Sequence, residues 1–287
     1  MLALAELAVE QAATEPRDVQ ALTMTHLGNA YRVNGRFAEA HDSFNKAEAL
    51  YSRPEPILLR FRASLLQDQR KFGAAIACLK RAARLEKDRE NQANIKLHLA
   101  NVLDLAGEHH AAANLVGKAL DDLKDPKIVA AAFHGLAHYL VNAGQTERAL
   151  FVLQHGDRFF DFFGSLAQLR VVWLKGRLAA AVGDQATALD SFRKAKEGFA
   201  AKSMLQEVAL LSLETAYEYA RRHDLAAAQA ELEGLPEILQ ALGIAPEAAA
   251  AKLLQLALRA RTAPRLVKHL LRLVDLLSIR RPRPTRA

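Results

Sequence analysis

The sequence lacks the residues that several protein classes depend on. It has one cysteine, Cys78, in 287 residues, which excludes an intrachain disulfide framework and a thiolate metal cluster. Glycine and proline are scarce, at 14 and 9 residues, and no alternating β-branched run predicts a sheet. No stretch approaches the roughly 18 apolar residues of a membrane span, and the acid-containing N-terminus is not typical of a signal peptide. We expect a helical, cytoplasmic protein.

Positive charge is also missing from most of the chain. The formal net charge of +7 arises from residues 251–287, which hold ten Lys or Arg and one acid, so residues 1–250 are nearly neutral. Three interpretations of this basic end remain open: a cap on the last apolar face, an electrostatic patch for nucleic acid or anionic lipid, or a docking segment. We predict no specific nucleic-acid partner and weak, nonspecific anion binding by the tail.

An alanine recurs along the chain in a constant local frame. The intervals between its copies are 35, 37, 37, 39 and 40 residues. Twelve residues upstream of each copy stands glycine or alanine, and four residues downstream stands a large apolar residue. A period of this length in helix-forming sequence predicts a stack of helical hairpins. The six copies are Ala40, Ala75, Ala112, Ala149, Ala188 and Ala228.

The first unit, LTMTHLGNAYRVNGRFAEAHDSFNKAEALY, shows the pattern most clearly. Small residues at Gly28 and Ala40 allow two helices to approach closely, Tyr31 and Phe44 fill the space around that contact, and Gly35 supplies the turn. This pattern resembles the tetratricopeptide repeat (TPR) family, which includes many free-standing or multi-domain bacterial proteins. The resemblance implies an all-α, right-handed α-solenoid of about six TPR-like hairpins with extra terminal helices.

The repeat register predicts the organisation of the chain. Residues 1–20 hold an N-terminal capping helix, residues 21–242 the repeats, residues 247–279 the C-terminal capping helices, and residues 280–287 a disordered basic tail. The intervals exceed the family's ~34 residues, and we expect the extra residues between hairpins. The sixth unit has His223 in place of the turn glycine. The predicted repeats span 21–54, 56–89, 93–126, 130–163, 169–202 and 209–242.

The resemblance also implies a binding groove lined by the first helices of successive hairpins. Mapped onto this sequence, the groove is rich in amide, guanidinium and aromatic side chains, which suit a peptide or a helix of a protein partner. Thr25 maps to the same surface. The alternative is that these are ordinary solvated helix faces. The predicted groove residues are Asn29, Arg32, Arg60, Asn101, His134, His138, Arg170, Trp173, Arg177, Tyr217 and Arg221.

Some TPR relatives hold a C-terminal carboxylate in a clamp of lysine, asparagine and arginine side chains. Asn29 matches one clamp position. Thr25, Phe61, Asn94 and His98 stand where the clamp needs other residues. We therefore predict no recognition of chaperone tails.

Two features of the groove residues allow more than one interpretation. Arg170, Trp173 and Arg177 form a stripe on one helix face, which is either a self-contained cation–π cluster or an anchor for an anionic or aromatic peptide group. His134 and His138 share a helix face as zinc ligands do, but no third ligand follows, so an inward-facing polar pair explains them better. We expect His109 and His110 to be solvated in an inter-helix turn.

The sequence contains no catalytic constellation. It has no glycine-rich phosphate loop, no nucleophile elbow and no Cys–His pair at a recognisable spacing. We predict no enzyme activity, no cofactor and no metal site. The leading hypothesis is a protein–protein interaction scaffold that binds a peptide or helix, and the alternative is a regulatory or sensor component of a bacterial transcription or signalling system.

Overall fold

The computed structural model describes residues 2–162, 164–243 and 245–259. These residues form helices joined by short connections, and no strand occurs among them. One-turn 3₁₀ segments follow the first and seventh helices. The helices are α1 (Leu2–Gln11), α2 (Arg17–Val33), α3 (Phe37–Leu50), α4 (Pro56–Asp68), α5 (Phe72–Leu85), α6 (Arg89–Leu105), α7 (His109–Ala119), α8 (Pro126–Asn142), α9 (Thr146–Phe160), α10 (Ser165–Val182), α11 (Gln185–Ala200), α12 (Leu205–Arg221), α13 (Leu225–Leu232), α14 (Leu235–Ala241) and α15 (Ala245–Arg259).

The described residues form two compact units, one ending at Lys124 and the other starting at Asp125. Unit 1 contains α1 and the hairpins α2–α3, α4–α5 and α6–α7. Unit 2 contains the hairpins α8–α9, α10–α11 and α12–α13, followed by α14 and α15. The predicted fold class, all-α and built from six TPR-like hairpins, is confirmed.

The recurring alanine is buried inside each hairpin, as predicted. All six copies are fully buried, and so are the small residues twelve positions upstream and the large residues four positions downstream. The residue twelve positions before the alanine and the residue four positions after it vary together from repeat to repeat. Phenylalanine is paired with glycine (Gly28 with Phe44, Gly176 with Phe192), whereas leucine or valine is paired with alanine. A Cβ atom on Gly28 would lie 2.6 Å from the Phe44 ring, so the larger side chain requires the smaller partner.

All six hairpin turns have the same backbone conformation. The residue five positions before each buried alanine has a positive φ, and the next N–H donates to the carbonyl five residues back at 2.8–3.0 Å. Four of these residues are glycine. Arg70 and His223 occupy the same conformation at φ 59° and 61°, although a side chain costs about 1–2 kcal/mol there. The sixth turn therefore keeps its shape without its glycine.

The later repeats are longer because their helices are longer. The expectation that the extra residues lie between hairpins is wrong: α4 has 13 residues and α10 has 18, while the connections remain short. The sixth repeat differs in another way, because its second helix ends at Leu232. Gly234 then takes a positive φ of 66°, and α14 begins with Pro236 in its first turn.

The two ends of the chain differ from the repeats. The predicted N-terminal cap contains α1, which has no buried residue and whose Glu6 carboxylate accepts a hydrogen bond from the Tyr31 hydroxyl at 3.0 Å. At the other end, α15 covers the start of the predicted C-terminal cap. The segment 265–279 and the tail 280–287 lie outside the described residues. Within the described part of the chain, no helix combines the length and apolarity needed to cross a membrane.

The Gly28–Phe44 contact yields a double-mutant prediction. Gly28→Ala is expected to destabilise the protein by about 1–3 kcal/mol, because its Cβ collides with the Phe44 ring. In a Phe44→Leu background the same change should cost far less, as in the repeats that pair alanine with leucine. Urea unfolding of the four variants measures the coupling. Gly117→Ala is the control and should stabilise by about 0.5–1 kcal/mol, since no atom lies within 4 Å of its Cβ position. Additive effects at positions 28 and 44 would contradict the prediction.

The strained turns yield a second prediction. His223→Gly should stabilise the protein by about 0.5–1 kcal/mol, because relief of the left-handed conformation exceeds the entropy that glycine adds to the unfolded chain. Arg70→Gly should gain less, since Arg70 also lies over the Phe72 ring at 5.7 Å. The neighbouring Arg222→Gly is the control and should destabilise, because Arg222 has an ordinary φ of −85°. Thermal unfolding measures all three, and equal loss in each would contradict this account.

Candidate functional site

The predicted groove residues lie on the first helices of the hairpins. We call the surface that they form on α2, α4 and α6 the unit 1 face, and the one on α8, α10 and α12 the unit 2 face. On the unit 1 face, the Arg32 Nε donates to Asn29 Oδ1 at 2.9 Å, and its Nη1 donates to Asp68 Oδ2 at 2.6 Å. Arg32 thereby links α2 to the end of α4.

A second set of contacts joins α4 to α6. The Gln67 Oε1 lies 3.3 Å from His98 Nε2 and 3.5 Å from Asn101 Nδ2. Burial lowers the pKa of His98 to about 4, and the guanidinium charges of Arg60 and Arg32 add to this effect. His98 is therefore neutral at pH 7, and it can exchange hydrogen bonds with the amides without placing a further charge on the face.

The unit 2 face has its own contacts between first helices. The Arg177 Nη1 donates to His138 Nδ1 at 3.2 Å, and its Nη2 donates to Asn142 Oδ1 at 3.0 Å, which joins α10 to α8. On the other side, Arg177 Nε lies 3.7 Å from Glu214 Oε1 of α12. Arg177 thus spans three first helices from its half-buried position.

Two contacts, a hydrogen bond and an aromatic contact, hold the Trp173 side chain in place. Its Nε1–H donates to Glu214 Oε2 at 3.0 Å, and its ring meets Phe199 edge to face at a centroid distance of 6.1 Å. Arg170, one turn earlier, lies 3.6 Å from Glu207. Among the described residues neither arginine makes a cation–π contact with Trp173. The interpretation as a self-contained cation–π cluster is therefore wrong, because carboxylates of α12 attract both guanidinium groups.

The last two predicted residues lie next to each other on α12. Arg221 is 6.0 Å from the centroid of the half-buried Tyr217 ring, and its Nη1 donates to the buried Glu218 carboxylate at 3.1 Å. The Glu218 charge is thus compensated at the end of the helix. This corner of the unit 2 face presents an aromatic ring beside an exposed cation.

His134 lies one turn before His138 on α8. Its pKa is lowered to about 4, mainly by burial and also by the neighbouring His138 and Arg170 charges. A main-chain hydrogen bond involving Arg170 acts in the opposite direction. Across the described residues, no group of three or more His, Cys, Asp or Glu side chains is arranged to hold a metal ion. The geometry supports the interpretation of His134 and His138 as polar residues of the face.

The acidic partners of the face were not among the residues predicted from the sequence. Asp68, Glu207 and Glu214 each pair with an arginine 36 or 37 residues earlier, on the first helix of the preceding hairpin. The signal was present as this constant spacing between an arginine and an acid. It could be interpreted only once the repeats had been placed in register, because the paired residues lie on different hairpins.

Two other expectations are corrected by the structure. Thr25 is fully buried, and its hydroxyl donates to the Ala21 carbonyl at 2.7 Å, so it does not line the unit 1 face. His109 is not solvated: it is 7% exposed, and its Nδ1 lies 2.6 Å from the buried Asp104 carboxylate. This pair joins the two helices of the third hairpin across the turn, whereas His110 is exposed.

The neutral histidines predict an acid-dependent loss of stability. His98 and His134 take up protons near pH 4 in the folded chain but near pH 6.5 when unfolded, so stability falls as pH drops between these values. Each should contribute on the order of 1–2 kcal/mol of this loss by pH 5, and His98→Gln or His134→Gln should remove that share. Urea unfolding at neutral and mildly acidic pH measures it. His155→Gln, at an exposed site outside both faces, is the control; an unchanged pH dependence in both face variants would contradict the prediction.

Comparisons with known proteins address the fold. No protein-family model and no curated protein matches the sequence. Among solved structures, the chain is similar to a Rap protein in complex with competence and sporulation factor, with a TM-score of 0.71 and 15% identity over 91% of this chain and 76% of that one.

Two further structures carry the same repeat. A putative kinesin light chain with TPR-like repeats from Podospora anserina has a TM-score of 0.55 and 16% identity over 67% of this chain and 99% of that one. A tetratricopeptide repeat protein from Parabacteroides merdae has a TM-score of 0.52 and 16% identity, covering 89% and 98% of the two chains. The chain therefore has a tetratricopeptide-repeat-like fold.

Proposed function

We propose that the chain is a cytoplasmic protein-interaction scaffold whose first-helix faces bind a peptide or a helix of a partner protein. The observation that carries this proposal is the set of half-buried polar and aromatic side chains on successive first helices, held in place by contacts between those helices. Side chains whose rotamers are already fixed lose little entropy when a ligand binds. A surface that served only to keep the protein in solution would not require side chains held in fixed rotamers.

The chemistry of the unit 2 face favours an uncharged stretch of peptide. Arg170 and Arg177 lie close to Glu207 and Glu214, so their charges are largely compensated, and an anionic ligand group would have to compete with these acids. Amide and guanidinium N–H groups remain suitable donors to peptide carbonyls. Trp173 offers apolar area at a low entropy cost, so we assign it the role of anchor for an apolar or aromatic ligand side chain.

A second candidate function is a regulatory or sensor role in a bacterial signalling system. It is favoured by the similarity to the Rap protein, which was solved in complex with competence and sporulation factor. Both candidates use the same faces but differ in the molecule retained. Mass spectrometry of the protein purified from its native cell separates them, since a scaffold retains a folded partner and a sensor retains a short peptide together with a regulator.

Substitution at Trp173 tests the unit 2 face. Dodecapeptides selected by display against the whole chain should change the fluorescence of Trp173, the single tryptophan, in a saturable manner. Trp173→Ala should weaken their binding at least tenfold, and Arg177→Ala should do so to a lesser degree. Binding is measured by polarisation of labelled peptides, and circular dichroism checks that each variant is folded.

Arg193→Ala provides the matched control. Arg193 lies on α11, the other helix of the same hairpin, where it pairs with Asp190 and Glu197 on the exposed side. Its replacement removes an equal charge and should leave peptide binding unchanged. Peptides that bind with full affinity to folded Trp173→Ala and Arg177→Ala variants would show that the unit 2 face is the wrong surface.

A further inference from the structure

Arg60 of α4 is the exception among the arginines of the two faces. Arg32, Arg170, Arg177 and Arg221 each lie within 4 Å of a carboxylate. Arg60 is half-buried, yet its guanidinium makes no hydrogen bond or ion pair with any described residue; only its main-chain carbonyl accepts, from the Ser64 hydroxyl. A partly desolvated charge without a counter-charge is unfavourable in the free protein.

The repeat register shows where the counter-charge is missing. In three pairs the acid stands 36 or 37 residues after its arginine, on the next first helix. Counted from the small residue of each first helix, those acids stand one position after or three positions before the place of their arginine, and the residues of α6 at these two places relative to Arg60 are His98 and Asn94. The chain therefore places an imidazole and an amide where the other pairs place an acid.

The groups around Arg60 add positive potential and hydrogen-bond donors. Arg60 is close enough to His98 for its charge to lower the pKa of that imidazole, and Arg32 acts in the same direction. The single carboxylate that acts on His98 is Asp68, which is already paired with Arg32. The amides of Gln67 and Asn101 lie beside His98 and can share a bound oxyanion.

We propose that Arg60 binds a carboxylate carried by the peptide ligand, an aspartate or glutamate side chain, which supplies the missing counter-charge on the unit 1 face. This inference rests on the proposed function, since it assigns a chemical preference to one of its two faces. A guanidinium binds a carboxylate through two parallel hydrogen bonds, which gives both affinity and direction. The unit 1 face thus favours an acidic ligand group at Arg60, whereas the unit 2 face favours an uncharged group at Trp173.

Degenerate peptide pools provide the test. Four pools of labelled dodecapeptides carry glutamate, glutamine, lysine or phosphoserine at the centre and random residues elsewhere, and each is titrated against the whole chain. The glutamate pool is expected to bind about tenfold more tightly than the glutamine pool, and the lysine pool more weakly still. Arg60→Met should abolish the preference for glutamate. Arg60→Lys should retain part of it, because lysine keeps the positive charge but cannot donate two parallel hydrogen bonds.

Two further variants separate recognition from folding. Arg62→Met is the matched control: it removes an equal charge from the same helix, but Arg62 pairs with Glu48 of α3, so the preference for glutamate should survive. Asn94→Glu places a carboxylate where Glu207 and Glu214 stand relative to their arginines, and it should suppress binding of the glutamate pool. Arg60→Met should also unfold no earlier than the parent chain, since its guanidinium has no partner to lose.

The outcomes distinguish the two proposals. If glutamate and glutamine pools bind equally and Arg60→Met changes nothing, the carboxylate site is wrong and peptide binding stands. If no pool binds, both proposals are overturned. A phosphoserine pool that binds tenfold more tightly than the glutamate pool would assign the site to a phosphoryl group and overturn the carboxylate assignment. Early unfolding of Arg60→Met would show a structural role and overturn it as well.

Discussion

The close approach of two helices at the buried alanine determines the rest of each unit. The alanine and the small residue on the first helix are both buried in this contact, and the small residue leaves room for the large apolar residue that follows the alanine, as Gly28 does for Phe44. This contact fixes the rotation of the first helix within its hairpin. The residues that the helix turns away from its partner are thereby set, and they form the unit 1 and unit 2 faces.

Repetition of this contact produces the electrostatics of the faces. Neighbouring first helices keep a constant register, so an arginine on one helix meets an acid on the next. Neutral imidazoles complete the pattern, because burial beside guanidinium groups lowers the pKa of His98 and His134. The paired groups of each face therefore carry little net charge, and their side chains are restrained before any ligand arrives.

The sequence predicts features that arise within one hairpin better than features that depend on contacts between hairpins. The buried alanines are predictable because they repeat within a hairpin, and the pairing of Gly28 with Phe44 follows from volume alone. The conformation of Arg70 and His223 is not predictable from residue type, since neither favours a positive φ. The partners Glu207 and Glu214 require the register between hairpins, and the burial of His109 depends on Asp104 across a turn.

A face that is already satisfied internally limits what a ligand can gain. Replacing the contact between Arg177 and Glu214 by a ligand contact exchanges one ion pair for another, with little net free energy after desolvation. Affinity must then come from apolar area, as at Trp173, or from a group that the chain leaves uncompensated. Arg60 is such a group on the unit 1 face, because Asn94 and His98 stand where an acid completes the other pairs. The specificity of a repeat surface of this kind therefore depends mainly on the positions where an arginine has no acid of the chain to pair with.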